Sequence, residues 1–191
     1  MTRPTVGKGK TTREVPKGAP IVLADLKAIP AFAALEDADA GKLLAVMSVR
    51  PVARGEPIFR EGEVGDGLYA VLSGRVSITK KNAKGGEREV AILERHEVLG
   101  EMDLISDRPH TAGAKGNESA VLLFLPKGEF QAMLAAGSPG AAAMVKYFAV
   151  MLAGRLDANN RRMMEMLDNA PKQEGTEFAE FKRRLLKEWT F

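Results

Sequence analysis

Residues 58–79 read IFREGEVGDGLYAVLSGRVSIT, and this stretch decides the fold class. Two runs rich in β-branched and aromatic residues, 68–72 and 75–79, are divided by Ser73 and Gly74, and an acidic Gly-containing cluster (61–67) precedes them. Short runs of this composition between glycine turns are the signature of strands joined tightly. Outward from it, REVAIL (88–93) follows the turn KNAKGG, and TAGAK near 111–115 and SAVLLFLP near 119–126 supply two more strands. Strands at such close, regular spacing predict an antiparallel barrel or sandwich.

Helical patterns flank the strands. Residues 21–35 form an apolar lead-in broken by Pro30, and a short helix is expected near 37–48, where acids crowd the start and suit the helix dipole. KGEFQAMLAAG reads as another short helix. After Ser138-Pro139 the chain runs without proline to Asp168, rich in Ala, Met, Leu and Arg. Within it Ala142, Val145, Ala149, Leu152, Leu156, Asn159, Met163 and Met166 alternate steps of three and four, a heptad seam with one polar member. The seam predicts a dimerisation helix; the alternative is that this face packs on its own barrel. Beyond Pro171, Phe178, Phe181, Leu185 and Trp189 fall at helical spacing among basic residues, an amphipathic extension over 169–191 that folds back or docks on a partner or membrane surface.

The chain has 191 residues, 45% hydrophobic, enough for one sizeable core. It has no cysteine, which excludes disulfides and thiolate-held metals and fits a reducing cytoplasm. It has no run of about 18 apolar residues and no apolar leader, so neither a membrane span nor a signal peptide is expected. Arg3, Lys8, Lys10, Arg13 and Lys17 against Glu14 put +4 on residues 1–20, leaving −1 of the total +3 on the remainder. The body therefore lacks the charge for a broad nucleic-acid face. The tail, with three Pro and three Gly, is too poor in apolar residues to order itself.

Catalytic constellations are missing. Only His96 and His110 are present, without a nucleophile elbow or a GxxxxGK[ST] loop, and two separated histidines do not make a cupin metal site. His96 reads as an exposed turn residue. EGEVGDG lacks the ligand order of a calcium loop and reads as a tight acidic turn. The remaining polar cluster is GEMDLISDRPHTA (100–112), where EMDLIS has room for one helical turn after a strand.

The order of these pieces resembles the cyclic nucleotide-binding domain shared by the catabolite activator proteins and the regulatory subunits of cyclic-nucleotide-dependent kinases. The likeness covers roughly residues 30–167. Gly62, Asp66, Tyr69 and Gly74 match one half of the family's pattern, and 99–112 matches its phosphate-binding cassette, F-G-E-[LIM]-A-L-[LI]-x-x-x-P-R-[AST]-A. The resemblance implies a mainly β fold with flanking helices (α+β): an antiparallel β-roll or jelly-roll barrel over 21–168 with short N-terminal helices and the long dimer helix. It implies that Gly100 and the amides near Met102 and Asp103 face a cyclic phosphate, that Glu101 holds the ribose 2′-hydroxyl, and that Thr111 stands where a hydroxyl is associated with guanine ligands.

Two positions depart from the pattern. The cassette Arg is His110, so a permanently charged fork is replaced by a ring that ordinarily titrates near pH ~6.5. Losing that contact costs about 1.5–3 kcal/mol of binding. Asp103 replaces a small residue and repels an anion unless it turns away, with Arg108 two residues before His110 as a possible compensating charge. The 21 residues after Asn169-Ala170 are too few for the family's DNA-binding domain. Two functions follow: a non-enzymatic, cofactor-free cytoplasmic homodimer that senses cAMP or cGMP and signals to a protein partner, or a degenerate, ligand-independent interaction module of the same fold.

Overall fold

The computed structural model describes residues 20–83, 85–106 and 108–168, with Glu180, Arg183 and Arg184. The expected basic tail (1–20, but for Pro20) and the amphipathic extension (169–191, but for those three residues) lie outside them. The chain divides into two compact units, 1–148 and 149–191.

Eight strands form two four-stranded antiparallel sheets. In chain order they are β1 (Ser48–Val52), β2 (Pro57–Phe59), β3 (Gly67–Ser73), β4 (Val76–Lys81), β5 (Glu87–Leu93), β6 (Val98–Leu99), β7 (Gly113–Gly116) and β8 (Ala120–Pro126). One sheet has the order β1-β8-β3-β6, the other β2-β7-β4-β5. The pairing is nested: β1 with β8, β2 with β7, β3 with β6, and the β4–β5 hairpin innermost. That is a jelly roll, and the sheets stay two separate ladders rather than closing into a barrel.

Both sheets contribute to one core: Val52, Tyr69, Val71, Leu99, Leu122 and Phe124 from the first, Val76, Leu93 and Ala114 from the second. β3 and β8 are buried along all but their last residues, which is why LYAVL and AVLLFL read as continuous apolar runs. Their alternate residues, such as Ala70 and Leu123, occupy the opposite face, where helices α2 (Asp37–Val46) and α4 (Lys127–Ala135) contact the sheet. Full burial of each Leu there contributes about 1.5–3 kcal/mol. REVAIL does form β5, but the strand is exposed except at Leu93. It lies at the sheet edge, its register slips opposite Ile78 and Thr79, and Val90 and Ile92 stay exposed.

Ahead of α2 come α1 (Leu23–Lys27) and a single 3₁₀ turn at Pro30–Phe32, and α3 (Glu101–Ser106) follows β6. The long helix α5 runs Pro139–Asp168. Pro139 occupies its first position, where a missing N–H costs nothing. Ser138 caps it by accepting from the Ala141 amide at 3.3 Å, and Asp39 Oδ2 accepts from Ser138 Oγ and the Gly140 amide, each at 3.2 Å. Among the described residues no helix is long and apolar enough to cross a membrane.

Candidate functional site

β6 ends at Leu99, and Gly100 turns the chain into α3 with φ +85°, a left-handed conformation that suits glycine. A Cβ there would stand 2.4 Å from the Gly67 carbonyl oxygen, so the turn is also closed to larger residues by space. It places Glu101 and Asp103 in the first turn of α3, where both are buried. Met102 between them is exposed, and its sulfur accepts from the Thr111 hydroxyl at 3.9 Å.

His110 comes to the same place from the other side. Its amide donates to the Glu63 carbonyl and its carbonyl accepts from the Gly62 amide, both at 2.8 Å, which ties it to the acidic turn. Its imidazole stacks on Phe59, centroids 3.6 Å apart and planes within 9°. Its Nδ1 contacts Asp103 Oδ2, and each of the two side chains is 3% exposed. Asp103 Oδ1 is buried with no hydrogen-bond partner. Asp103 also packs against Gly65, where a Cβ would lie 2.3 Å from its own.

Burial pushes the Asp103 carboxyl above the usual carboxylate range, while His110 and the Lys127 ammonium pull it back. The acidic turn is held by its own acids. Glu63 accepts from the Arg60 amide at 2.8 Å and Glu61 from the Lys81 amide at 2.9 Å, and these bonds hold both carboxyls below their ordinary values. Lys80 Nζ reaches both Glu61 and the Thr111 carbonyl. Arg108 is exposed and does not enter the Asp103–His110 pair.

The first half of the motif makes a second cluster. Tyr69 donates its hydroxyl to Asp66 at 2.9 Å and accepts from Arg50 at 3.1 Å, and the Arg50 guanidinium lies 3.4 Å from the Phe124 ring centroid. His96 does occupy a turn, half-buried and with φ +72°, in a conformation unusual for a residue with a side chain.

The structure thus brings Gly100, Glu101, Asp103 and His110 together, sets Met102 and Thr111 at the exposed edge, and leaves Arg108 outside. Sequence reasoning missed Phe59 and Gly65. Phe59 reads as an ordinary strand residue and Gly65 as an ordinary turn glycine. Gly65 lies one residue before Asp66, in the turn to which His110 is bonded, and that bonding is not visible in the sequence.

On α5 the seam residues Val145, Leu152 and Met163 are half-buried, and Ala149, Leu156 and Asn159 are exposed. In the first unit Ala141, Met144 and Phe148 form the buried stripe instead.

A family model described as the cyclic nucleotide-binding domain matches residues 49–136. The cyclic AMP receptor protein of Thermus thermophilus is 32% identical over 109 residues, 57% of this chain and 50% of that protein. A cAMP-dependent protein kinase regulatory subunit of Yarrowia lipolytica is also 32% identical over 109 residues, 57% of this chain and 28% of its own length. The chain thus spans half or less of these relatives. The crystal structure of the N-terminal domain of a transcriptional regulator from Streptomyces coelicolor A3(2) superposes with a TM-score of 0.60 at 34% identity, over 70% of this chain and 94% of that one. With the nested roll, the glycine turn and the buried Glu101, these likenesses place the chain in the cyclic nucleotide-binding domain family.

Proposed function

We propose that this chain is a non-enzymatic regulatory domain that binds a cyclic mononucleotide, cAMP or cGMP, in the 100–111 cassette and relays binding to a protein partner through α5 and the residues after it. The observation that carries this reading is the retained Gly100–Glu101 turn. A left-handed glycine against the Gly67 carbonyl presents a buried carboxylate, the group suited to accept from ribose hydroxyls. Relatives named as a cyclic AMP receptor protein and a cAMP-dependent kinase regulatory subunit support it.

The proposed working form is a homodimer. Leu156 and Met166 are 62% and 72% exposed on the heptad seam, an apolar face suited to a second copy. Leu152→Glu is expected to halve the mass seen by light scattering, and an unchanged mass refutes the seam.

The buried Asp103–His110 pair favours a second reading, a ligand-independent interaction module. Asp103 occupies the residue that the family's cassette uses to hold phosphate, so an anion must compete with a tethered carboxylate. Calorimetric titration with cAMP and cGMP separates the readings: no heat at high micromolar ligand from a folded sample refutes the sensor. If His110→Arg with Asp103→Ala then creates binding, the pair was the obstacle.

A further inference from the structure

We propose that binding of a cyclic phosphate at this cassette is coupled to uptake of at least one proton by the Asp103–His110 pair, so that the site senses ligand and acidity together. This deepens the cyclic-nucleotide reading and rests on it.

Three observations carry the inference. First, the pair cannot open easily. His110 is clamped by two backbone hydrogen bonds to the 61–63 turn and by Phe59 on its ring face, and Asp103 has Gly65 behind it with no room for even a methyl group. An anion that reaches His110 therefore meets Asp103 as well. Second, one carboxylate oxygen is already used: Oδ2 faces Nδ1 of the imidazole. Third, the other oxygen, Oδ1, is buried and accepts no hydrogen bond. It is the vacant lone pair at which a proton can be added without breaking the existing contact.

The surrounding charges do not supply an alternative. Lys127 acts on Asp103 from α4, and Glu63 acts on His110 from the turn after β2. Glu101 is a second buried acid on α3. Lys80 and Glu61 pair with each other beside the Thr111 carbonyl, and Arg108 is exposed. With a carboxylate at 103, the pair has net charge zero when the imidazole is protonated and −1 when it is not. Neither state offers an anion a net positive partner.

Protonation changes this. A proton taken from solvent onto Asp103 Oδ1 cancels the negative charge of the carboxylate. Nδ1–H goes on donating to Oδ2, so the pair stays joined. Where the imidazole starts neutral, Nε2 takes a further proton. The pair then has net charge +1 beside the monoanionic ligand. Burial already moves the carboxyl in the direction this requires.

The test is calorimetric titration of the full chain with cAMP and with cGMP between about pH 5.5 and 8, repeated at one pH in HEPES and in Tris, whose ionisation heats differ. One proton per ligand weakens binding roughly 10-fold per pH unit on the alkaline side and makes the measured heat depend on the buffer. Asp103→Asn is expected to bind more tightly at neutral pH and to lose one proton's worth of the slope. If that variant fails to fold, the buffer comparison on the unaltered protein decides alone. Binding whose affinity ignores pH and whose heat ignores the buffer overturns the coupling but leaves the cyclic-nucleotide reading standing. No heat at any pH, with folding verified by circular dichroism, overturns both.

Discussion

Gly65→Ala disturbs the Asp103–His110 pair without altering either partner. The added Cβ would lie 2.3 Å from Asp103 Cβ, 2.9 Å from its Cγ and 3.0 Å from its Oδ2. Carbon atoms pack at about 3.5–4.0 Å, so Asp103 must retreat by roughly 1 Å or more. It is 2% exposed, so it cannot move without displacing its neighbours. Overpacking of this kind costs about 1–3 kcal/mol. Pulling Asp103 from His110 adds part of the ~3–5 kcal/mol lost when one member of a buried pair is removed. The expected total is about 3 kcal/mol or more, read as a fall in Tm of roughly 6–12 °C for a chain of this size. Urea unfolding gives the free energy directly. Gly128→Ala is the control, because nothing lies within 4 Å of its Cβ position in α4, and it is expected to be neutral or stabilising by ~0.5–1 kcal/mol. Adding Asp103→Gly to Gly65→Ala removes the atoms that the methyl strikes. The double variant should then cost at least ~1 kcal/mol less than the sum of the singles. A Gly65→Ala loss below ~1 kcal/mol, or strict additivity, refutes the close packing at this site.

Three further outcomes follow from the same structure. His96→Gly relieves a side chain held at φ +72° and should raise stability by about 1 kcal/mol in thermal melts. Burial also holds the His96 imidazole below its ordinary value, so the unfolded chain binds more protons there. The unaltered protein therefore loses stability on this account as pH falls below ~6.5, and the gain from His96→Gly should widen with acid. Tyr69→Phe removes a buried hydroxyl that bridges Asp66 and Arg50, and should cost ~1–2 kcal/mol by urea unfolding. Gly154→Ala, at an open position within α5, should stabilise by about 1 kcal/mol, and a destabilised variant would mean that the position is covered by a neighbour.

Much of the fold was legible because its strands differ in kind from their turns. Ser73-Gly74 and the KNAKGG turn separate runs that become β3, β4 and β5, and the apolar density of LYAVL and AVLLFL anticipates strands buried on both faces. The nested pairing was not legible, because period-2 patterning gives a strand's faces but not its neighbours. Edge position was likewise hidden. REVAIL ends in four apolar residues, yet Val90 and Ile92 are exposed, because exposure at β5 is set by its edge position and a register slip, neither of which is local to those six residues. The α5 cap was readable in part: Ser138-Pro139 announces a helix start, but Asp39, which accepts from both Ser138 and Gly140, lies about a hundred residues earlier.

The site shows why single positions mislead. Read alone, His110 is the loss of a phosphate-binding cation, and Asp103 is a repulsive carboxylate beside a ligand. In space they are one change. The carboxylate turns to the imidazole, so that Oδ2 faces Nδ1 while Oδ1 stays buried without a partner. Their pairing depends on Gly65, which leaves room for Asp103, and on Phe59, which fixes the imidazole plane. Neither contributor carries charge or sits in the cassette, so no reading of residues 100–112 by themselves reaches it. The Gly100–Glu101 turn is different: its requirement is conformational and local, and so it survives in the sequence as a motif. What the cassette keeps is therefore its left-handed glycine turn and a buried carboxylate at Glu101. Where the family's pattern has Arg, this chain has a histidine joined to a buried carboxylate, and the proposed coupling of anion binding to acidity rests on that exchange.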